Sequence, residues 1–394
     1  MMVARCLLAV VLMLALVSGG WCQQRPAGVQ GAQPASPGKP QPPGGPPAAI
    51  PVPAPAAAPD KAALEAAAGL KGTDHLWEDV KRYGAKGDGK TDDTKAIQKA
   101  IDAAVTRGTK MVLVPPGVYA TGNPGLRITT SDMVFKGLGY NTIIKHSGDH
   151  PALTVGSGKK PPCINVKIAD LQFNGKTARK DAILLEDYTI RYYIENVCIF
   201  NFASGTAIKA VDHNHSGHIS LVQLNNNAVG VSIGDHGQYT DISFSKIHHN
   251  KKYGIEVTDC NVINIISTQI EKNGDHPGGA SVMARGVDAL NLIGCYNEQN
   301  DKFPAPFLVL TKGPVHPLCK AVNLIGCRSI GNKKAPHSVV LEGADTVNFT
   351  GNVFTSFAKG TFVLRPLQPN QVRKISGQGN FLGEPLGDNI FALK

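Results

Sequence analysis

The segment "DISFSKIHHNKKYGIEVTD", Asp241–Asp259, decides the fold of this chain. Apolar and polar residues alternate before Asn250 and again after Gly254, which predicts two short strands separated by a tight turn. The same order recurs elsewhere, because an asparagine followed four residues later by Gly or Pro also stands at Asn201, Asn226, Asn300 and Asn332. The chain is therefore predicted to repeat one strand–turn–strand unit about every 24 residues.

A repeat of this length predicts a solenoid, since one unit cannot bury its own apolar face and must stack on the next. Asparagine tolerates left-handed backbone, and its amide can hydrogen-bond to the units above and below. The pattern resembles right-handed parallel β-helix proteins, in which asparagine ladders occur. The expected fold class is all-β, a right-handed parallel β-helix.

An earlier stretch, "GAKGDGKT" at Gly84–Thr91, has the letters of a phosphate-binding loop. In that role Asp92 and Asp93 would lie beside the phosphates and repel them. No later strand ends in a convincing magnesium-binding aspartate. We therefore expect no ATP binding and interpret Gly87 and Gly89 as turn residues.

The same stretch begins a longer pattern. It reads "YGAKGDGKTDDT" at Tyr83–Thr94 and continues to "VLVPPGVY" at Val112–Tyr119. Between them Ile97, Ala100, Ile101 and Ala104 recur on one helical face, behind acids that can cap a helix. The pattern resembles the N-terminal segment of the pectate-lyase-like superfamily, which includes polygalacturonases, rhamnogalacturonases, mannuronan C5-epimerases and phage tailspikes. The helix is expected to cap the first unit of the solenoid.

Composition predicts three regions. Residues 1–22 combine Arg5, the apolar run "CLLAVVLMLALV" and small residues, as in a signal peptide. Residues 23–76 are rich in Pro and Ala and are predicted to be a disordered linker. Residues 77–394 form the predicted β-helix domain. We expect a secreted or periplasmic protein with no membrane span in the mature chain.

The formal net charge of +10 favours an acidic partner, and an acidic polysaccharide is expected. Nucleic acid is not expected, because no Lys/Arg run with interleaved aromatic residues is present. Export would permit disulfides, but the eight cysteines have no dense framework spacing. Most are interpreted as core residues, and a Cys319–Cys327 pair is left open.

Acids end successive strands in "AIKAVD", "VGVSIGD" and "GIEVTD", at Asp212, Asp235 and Asp259. Neighbouring units should lie about 4.8 Å apart, so these acids are expected to form a column, with His213 and His236 beside it. Close carboxylates raise one another's pKa, and histidine titrates near neutrality. These five residues are the predicted catalytic site, although aspartate is also a common turn residue.

The column also resembles the active site of mannuronan C5-epimerases, which has a Tyr-Gly-x-Asp-Pro-His motif and another acid in the next unit. Asp235 matches the first acid and Asp259 the second. His236 directly follows Asp235 instead of standing two positions on, and Ser232 occupies the region of the motif's tyrosine. The resemblance implies proton abstraction at C5 of a uronate.

In that chemistry His236 or Tyr239 would transfer the proton. Lys209, or a cation such as Ca²⁺ at the acids, would neutralise the substrate carboxylate. Lys209, His215 and Tyr239 are the predicted substrate-binding residues, and no set of metal ligands is assigned. Two other classes stay open: a β-helix that binds glycan without catalysis, and a glycoside hydrolase that uses two carboxylates.

Overall fold

A computed structural model describes residues 76–299, 305–331, 337–355, 362–364 and 372–382. The predicted signal peptide and all of the predicted linker except Leu76 lie outside these residues. Within them the chain winds as a solenoid with three faces, and every strand pairing is parallel.

Within the described residues the first face is a ten-stranded sheet. Its strands are β5 Leu126–Ile128, β8 Leu153–Val155, β10 Ile183–Leu185, β12 Thr206–Ala210, β15 Val229–Ile233, β18 Tyr253–Thr258, β21 Ala280–Arg285, β24 Leu308–Thr311, β27 Val339–Leu341 and β30 Phe362–Leu364.

The second face follows the first along each rung. Its strands are β1 Glu78–Asp79, β3 Met111–Val114, β6 Val134–Gly137, the first halves of β9 Cys163–Asn174 and β11 Thr189–Phe200, β13 Gly217–Ser220, β16 Tyr239–Ser243, β19 Val262–Ile266, β22 Ala289–Ile293, β25 Cys319–Ile325, β28 Ala344–Thr350 and β31 Val372–Gln378.

The third face completes the rung and belongs to the same hydrogen-bonded sheet as the second. Its strands are β2 Asp88–Asp92, β4 Gly117–Thr121, β7 Thr142–His146, the second halves of β9 and β11, β14 Gln223–Asn225, β17 Lys246–His248, β20 Gln269–Glu271, β23 Tyr296–Glu298, β26 Arg328–Ile330, β29 Val353–Thr355 and β32 Phe381–Leu382.

The core lies between the faces, because alternate residues of each strand point inward. On the first face Ile208, Val231, Ile255 and Val282 stand in register on successive rungs, and none is exposed. Burying each such side chain contributes roughly 1.5–3 kcal/mol. The alternation in the sequence therefore predicted the parallel solenoid correctly.

The helix α1, Thr94–Arg107, buries Ile97, Ala100, Ile101 and Ala104, the four apolar positions expected from the sequence. It contacts β1, β3, β5 and the 3₁₀ helix Val80–Tyr83. That α1 shields the first rung from other strands stays a prediction.

The stretch Gly84–Thr91 passes from a turn at Gly84 into strand β2, with left-handed glycines at positions 84, 87 and 89. Asp88 accepts the backbone N–H groups of Lys90 (2.9 Å) and Thr91 (2.8 Å). These hydrogen bonds, that of Thr91 first, lower the pKa of Asp88 to about 2. Asp93 accepts the N–H groups of Lys86 and Gly87. Carboxylates thus occupy N–H groups that phosphate oxygens would need.

The asparagine ladder lies at the turn between the third and first faces and includes Asn250, as the sequence predicts, but one rung earlier it is shifted by one position. The predicted positions Asn300 and Asn332 lie outside the described residues. Asn227, not Asn226, stacks with Asn250 and Asn273, and the side-chain amides are 3.0 and 2.9 Å apart. Asn226 is exposed, with a left-handed φ of 56°. The ladder's next neighbour is Phe202, whose N–H donates to Asn227.

The six described cysteines are buried free thiols, so the Cys319–Cys327 pair left open by the sequence does not form. Cys327 lies beside Cys295, whose thiol has a pKa raised by a hydrogen bond with Cys327 and by burial. Among the residues that the structure describes, no helix has the length and apolar character needed to cross a bilayer.

Candidate functional site

The turn between the first and second faces carries a column of rings on three successive rungs. Tyr188, His213 and His236 each have a left-handed φ, between 50° and 61°. The rings of Tyr188 and His213 stack with centroids 5.0 Å apart, as do those of His213 and His236. This repeated backbone bend directs the three rings to the same side of the solenoid.

Asp212 lies at the centre of this turn and joins the two histidines. Its Oδ1 is 3.1 Å from Nδ1 of His213 and 2.9 Å from Nδ1 of His236. Asp187, one rung earlier, also contacts Nδ1 of His213 at 3.1 Å. The side chains of Asp212, His213 and His236 are 37–56% exposed, so solutes can reach them. Each offers a donor atom within 4.8 Å of the others, as metal ligands do.

The predicted column of three acids does not form. Asp235 is exposed, whereas Asp259 is only 2% exposed. The oxygens of Asp259 accept the backbone N–H groups of Val315 (3.0 Å) and His316 (2.8 Å). His236 stands three residues after Ile233, but Asp259 stands two after Val257, the partner of Ile233. The shorter turn brings Asp259 to the left-handed position and turns its carboxylate inward.

Two predicted substrate-binding residues differ in position. Lys209 projects from the first face and lies 3.9 Å from Asp181, so it does not join the rings at the turn. His215 lies in the turn itself, and burial lowers its pKa, with the nearby charge of His213 lowering it further. The sequence placed both residues at one site, but only His215 belongs to it.

A second cluster lies on the outer side of the second face. The rings of Tyr193 and His218 stack with centroids 5.2 Å apart. Nδ1 of His218 is 3.5 Å from Oδ2 of Asp241, one rung further on. Strand register aligns these three residues, because Tyr193 pairs with His218 and His218 with Asp241. The imidazole is thus held by a ring on one side and a carboxylate on the other.

Tyr239 belongs to this second cluster and is 42% exposed. Burial raises its pKa, and the nearby negative charge of Asp241 raises it further. Asn264 donates to Asp241 at 2.8 Å, and its own hydrogen bond with Tyr239 lowers the pKa of the phenol and opposes that rise. The phenol therefore keeps its proton at neutral pH, beside an imidazole that shares the same carboxylate.

The sequence analysis assigned no role to His218 and Asp241, and it missed Tyr193 and Asn264. The signal that could have found them is register: His218, Asp241 and Asn264 each lie in the middle of a second-face strand and are separated by one rung. Aligning the strands by their apolar alternation places these three residues on successive rungs. The predicted site was instead built mainly from residues at strand ends.

Two family descriptions match the chain. One, "Rhamnogalacturonase A/epimerase, pectate lyase-like", covers residues 77–270. The other, "Right handed beta helix region", covers residues 206–365. Together they include both clusters of the candidate site.

Two curated relatives share part of the chain. The capsule KN3-specific depolymerase 1 of Klebsiella phage KN3-1 is 26% identical over 318 residues, which are 71% of this chain and 39% of the relative. Alginate lyase 7 of Azotobacter vinelandii is 47% identical over 72 residues, 17% of this chain and 8% of the relative. The chain thus spans less than half the length of either protein.

Among solved structures, tailspike protein 2 of the Escherichia coli O157:H7 bacteriophage CAB120 superposes with a TM-score of 0.60. The superposition covers 77% of this chain and 43% of the tailspike, at 14% identity. At that identity the likeness shows the fold alone.

Proposed function

Because the chain belongs to the pectate-lyase-like superfamily of right-handed β-helix proteins, we propose that it acts outside the cytoplasm on an acidic, uronate-containing polysaccharide. The proposed chemistry is removal of the proton at C5 of the uronate. Relatives named as a capsule depolymerase and an alginate lyase support the substrate class, and the net charge of +10 favours a polyanion.

One observation carries the choice of chemistry: His218 and Tyr239 lie beside the same carboxylate, that of Asp241. A reaction that takes a proton from one face of a carbon and supplies one elsewhere needs a base and an acid close together. An imidazole held by a carboxylate is a suitable base, and a phenol that keeps its proton at neutral pH has a proton to donate.

In the proposed mechanism Nε2 of His218 accepts the C5 proton, while Asp241 stabilises the imidazolium through Nδ1. Tyr239 donates its proton to the developing negative charge or to the leaving oxygen. Tyr193 supports the imidazole ring from its other side. This assigns the proton transfer to the second face, beside the turn that carries Asp212, His213 and His236.

The same first step leads to two products. If the glycosidic oxygen at C4 leaves, the polymer is cleaved and an unsaturated uronate end remains. If a proton returns to C5 from the opposite side, the sugar is epimerised and the chain stays intact. Both reactions belong to the proposal, and the product analysis separates them.

A second candidate function is glycan binding without catalysis, favoured by a row of amides on the second face. Asn264 donates to Asp241, Asn291 to Asn264, and Asn323 to Asn291, each at 2.8 Å. The row continues the site along the solenoid for three rungs with neutral hydrogen-bonding groups. Such a surface suits an extended polymer, whether or not chemistry follows.

The test incubates the full chain with polymannuronate, polyguluronate and polygalacturonate in heavy water. NMR follows exchange at C5, unsaturated ends and chain length. Exchange without cleavage identifies an epimerase, and unsaturated ends identify a lyase. His218→Gln and Tyr239→Phe are each expected to lower the rate about 10²–10⁴-fold.

Two control variants match these changes on other surfaces. Tyr140→Phe alters a tyrosine that is 44% exposed and has a pKa raised by burial, and His276→Gln alters an exposed histidine. Both should retain the wild-type rate. Cleavage without exchange would replace the proposal by a hydrolase, and binding without any product would replace it by the glycan-binding module.

A further inference from the structure

We propose that Asp212, His213 and His236 bind one divalent transition-metal ion, of which Zn²⁺ is the best match. The three residues lie in the turn between the first and second faces, on two successive rungs. The proposal is independent of the proposed function, because its test measures binding of the metal alone.

The spacing of the donor atoms supports this site. Oδ1 of Asp212 is 3.1 Å from Nδ1 of His213 and 2.9 Å from Nδ1 of His236. Zinc–nitrogen and zinc–oxygen bonds of about 2.0–2.1 Å place tetrahedral donors about 3.3 Å apart. The carboxylate oxygen therefore needs to move only a few tenths of an ångström relative to each nitrogen, and the donor atoms of all three residues lie within 4.8 Å of one another.

The types of donor decide between metals. Two imidazole nitrogens with one carboxylate suit Zn²⁺ and its neighbours, whereas Ca²⁺ and Mg²⁺ prefer oxygen ligands throughout. Three protein ligands leave a fourth position for water or another group. Asp187, 3.1 Å from Nδ1 of His213, is close enough to take that position.

The side chains are also brought close together before any ion binds. The two imidazole rings stack with an interplanar angle of 7°, and Tyr188 stacks on His213 from the other side. The backbone N–H of His213 donates to the carbonyl of Asp235, and that of His236 to the carbonyl of Asp259. To bind the same ion the His236 ring has to turn out of this stack, because a metal lies in the plane of each imidazole that binds it, and the 56% exposure of its side chain leaves room for that turn.

The same contacts could exist for another reason, since a carboxylate between two histidines is a stable hydrogen-bonded group without a metal. The two readings differ in one measurable property. A metal site binds one equivalent of Zn²⁺ through these side chains, and a hydrogen-bonded group does not.

The experiment strips the full chain with a chelator and titrates it with Zn²⁺ in competition with a chromophoric chelator. We expect one equivalent bound by the wild type, and no displacement by an equal concentration of Ca²⁺. Asp212→Asn and His236→Gln should each weaken Zn²⁺ binding at least tenfold. The exposed pair Asp275 and His276 provides the matched controls Asp275→Asn and His276→Gln, which should bind as the wild type does.

A second readout separates lost ligands from lost folding. Circular dichroism and the metal-free Tm of each variant should equal those of the wild type, and Zn²⁺ should raise the Tm of the wild type and the controls only. The NMR signals of the His213 and His236 rings should shift on addition of one equivalent. Equal Zn²⁺ affinity in all four variants, or no binding by the wild type, would overturn the proposal.

Discussion

Two turns that recur along the solenoid each contain a left-handed residue: the residue just before each ladder asparagine at one turn, and His213 and His236 at the other. At the turn between the third and first faces, Asn227, Asn250 and Asn273 are at most 1% exposed, and their amides bond to one another and to backbone carbonyls. At the turn between the first and second faces, His213 and His236 are partly exposed and contact acids. The first turn buries neutral amides, and the second exposes ionisable side chains.

This difference separates stability from chemistry. A buried amide ladder satisfies its own hydrogen bonds, so it stabilises the stack and offers nothing to a solute. An exposed carboxylate between two imidazoles adds little to stability, but its protons and lone pairs are accessible. Replacements at the first turn should therefore change the free energy of unfolding, and replacements at the second should change binding or reactivity.

The largest expected effect comes from breaking the ladder. Asn227→Ala removes the acceptor of the Phe202 N–H and the donor to the Ile199 carbonyl and to Asn250, all of them buried. Each buried group left without a partner costs about 1–3 kcal/mol. We expect a loss of about 3 kcal/mol or more in the free energy of unfolding, measured by urea denaturation.

The control for that variant is its neighbour. Asn226→Gly keeps the left-handed backbone at an exposed site, so its effect should stay within about 1 kcal/mol. If Asn226→Gly instead lost more stability than Asn227→Ala, the ladder would include Asn226, as the sequence predicted.

The second prediction tests whether Asp259 contributes to stability, as the buried asparagines do, or to binding and reactivity, as we expect of His213 and His236. It lies at the same turn as His213 and His236 but is buried, and its carboxylate accepts two backbone N–H groups. Asp259→Asn should lower the free energy of unfolding by about 2 kcal/mol, because hydrogen bonds to a charged group are lost. Asp235→Asn, at an exposed acid that also follows a first-face strand, should change it by less than about 0.5 kcal/mol. Equal urea midpoints for the two variants would show that the buried Asp259 does not contribute more to stability than the exposed Asp235.

The sequence placed the ladder at Asn226 and placed Asp259 in a column of acids. Both errors have the same physical cause. Strand alternation and the repeat length predicted the solenoid, and the apolar face at Ile97 and Ala104 predicted α1. Turns differ in length by one residue between rungs: Asn227 lies two residues before Val229, whereas Asn250 lies three before Tyr253, the partner of Val229. Turn composition does not reveal such a change, so counting placed the ladder at Asn226.

The candidate site could also be predicted only in part from the sequence. The sequence brought Asp212, His213 and His236 together, because they follow strands of equal register. It could not place Lys209 opposite Asp181 or bury Asp259, since both depend on side-chain direction and on the loop at Val315. The cluster of His218 and Asp241 depends on cross-strand pairing over a 23-residue separation, which alternation within one strand does not display.

The smallest effect concerns a histidine next to the asparagine turn. Burial, followed by the charges of His249, Lys246 and Lys272, lowers the pKa of His248 to about 4. A histidine with a lowered pKa in the folded state stabilises the fold above its unfolded pKa of about 6.5, and this stability is lost as the pH falls toward 4. Because His248 is only about half buried, the loss should be about 1 kcal/mol. Urea unfolding at pH 7.5 and 4.5 should show that His248→Gln loses less stability on acidification than the wild type. The exposed His150→Gln should follow the wild type, and an equal acid loss in His248→Gln would show that this histidine titrates as it does in the unfolded chain.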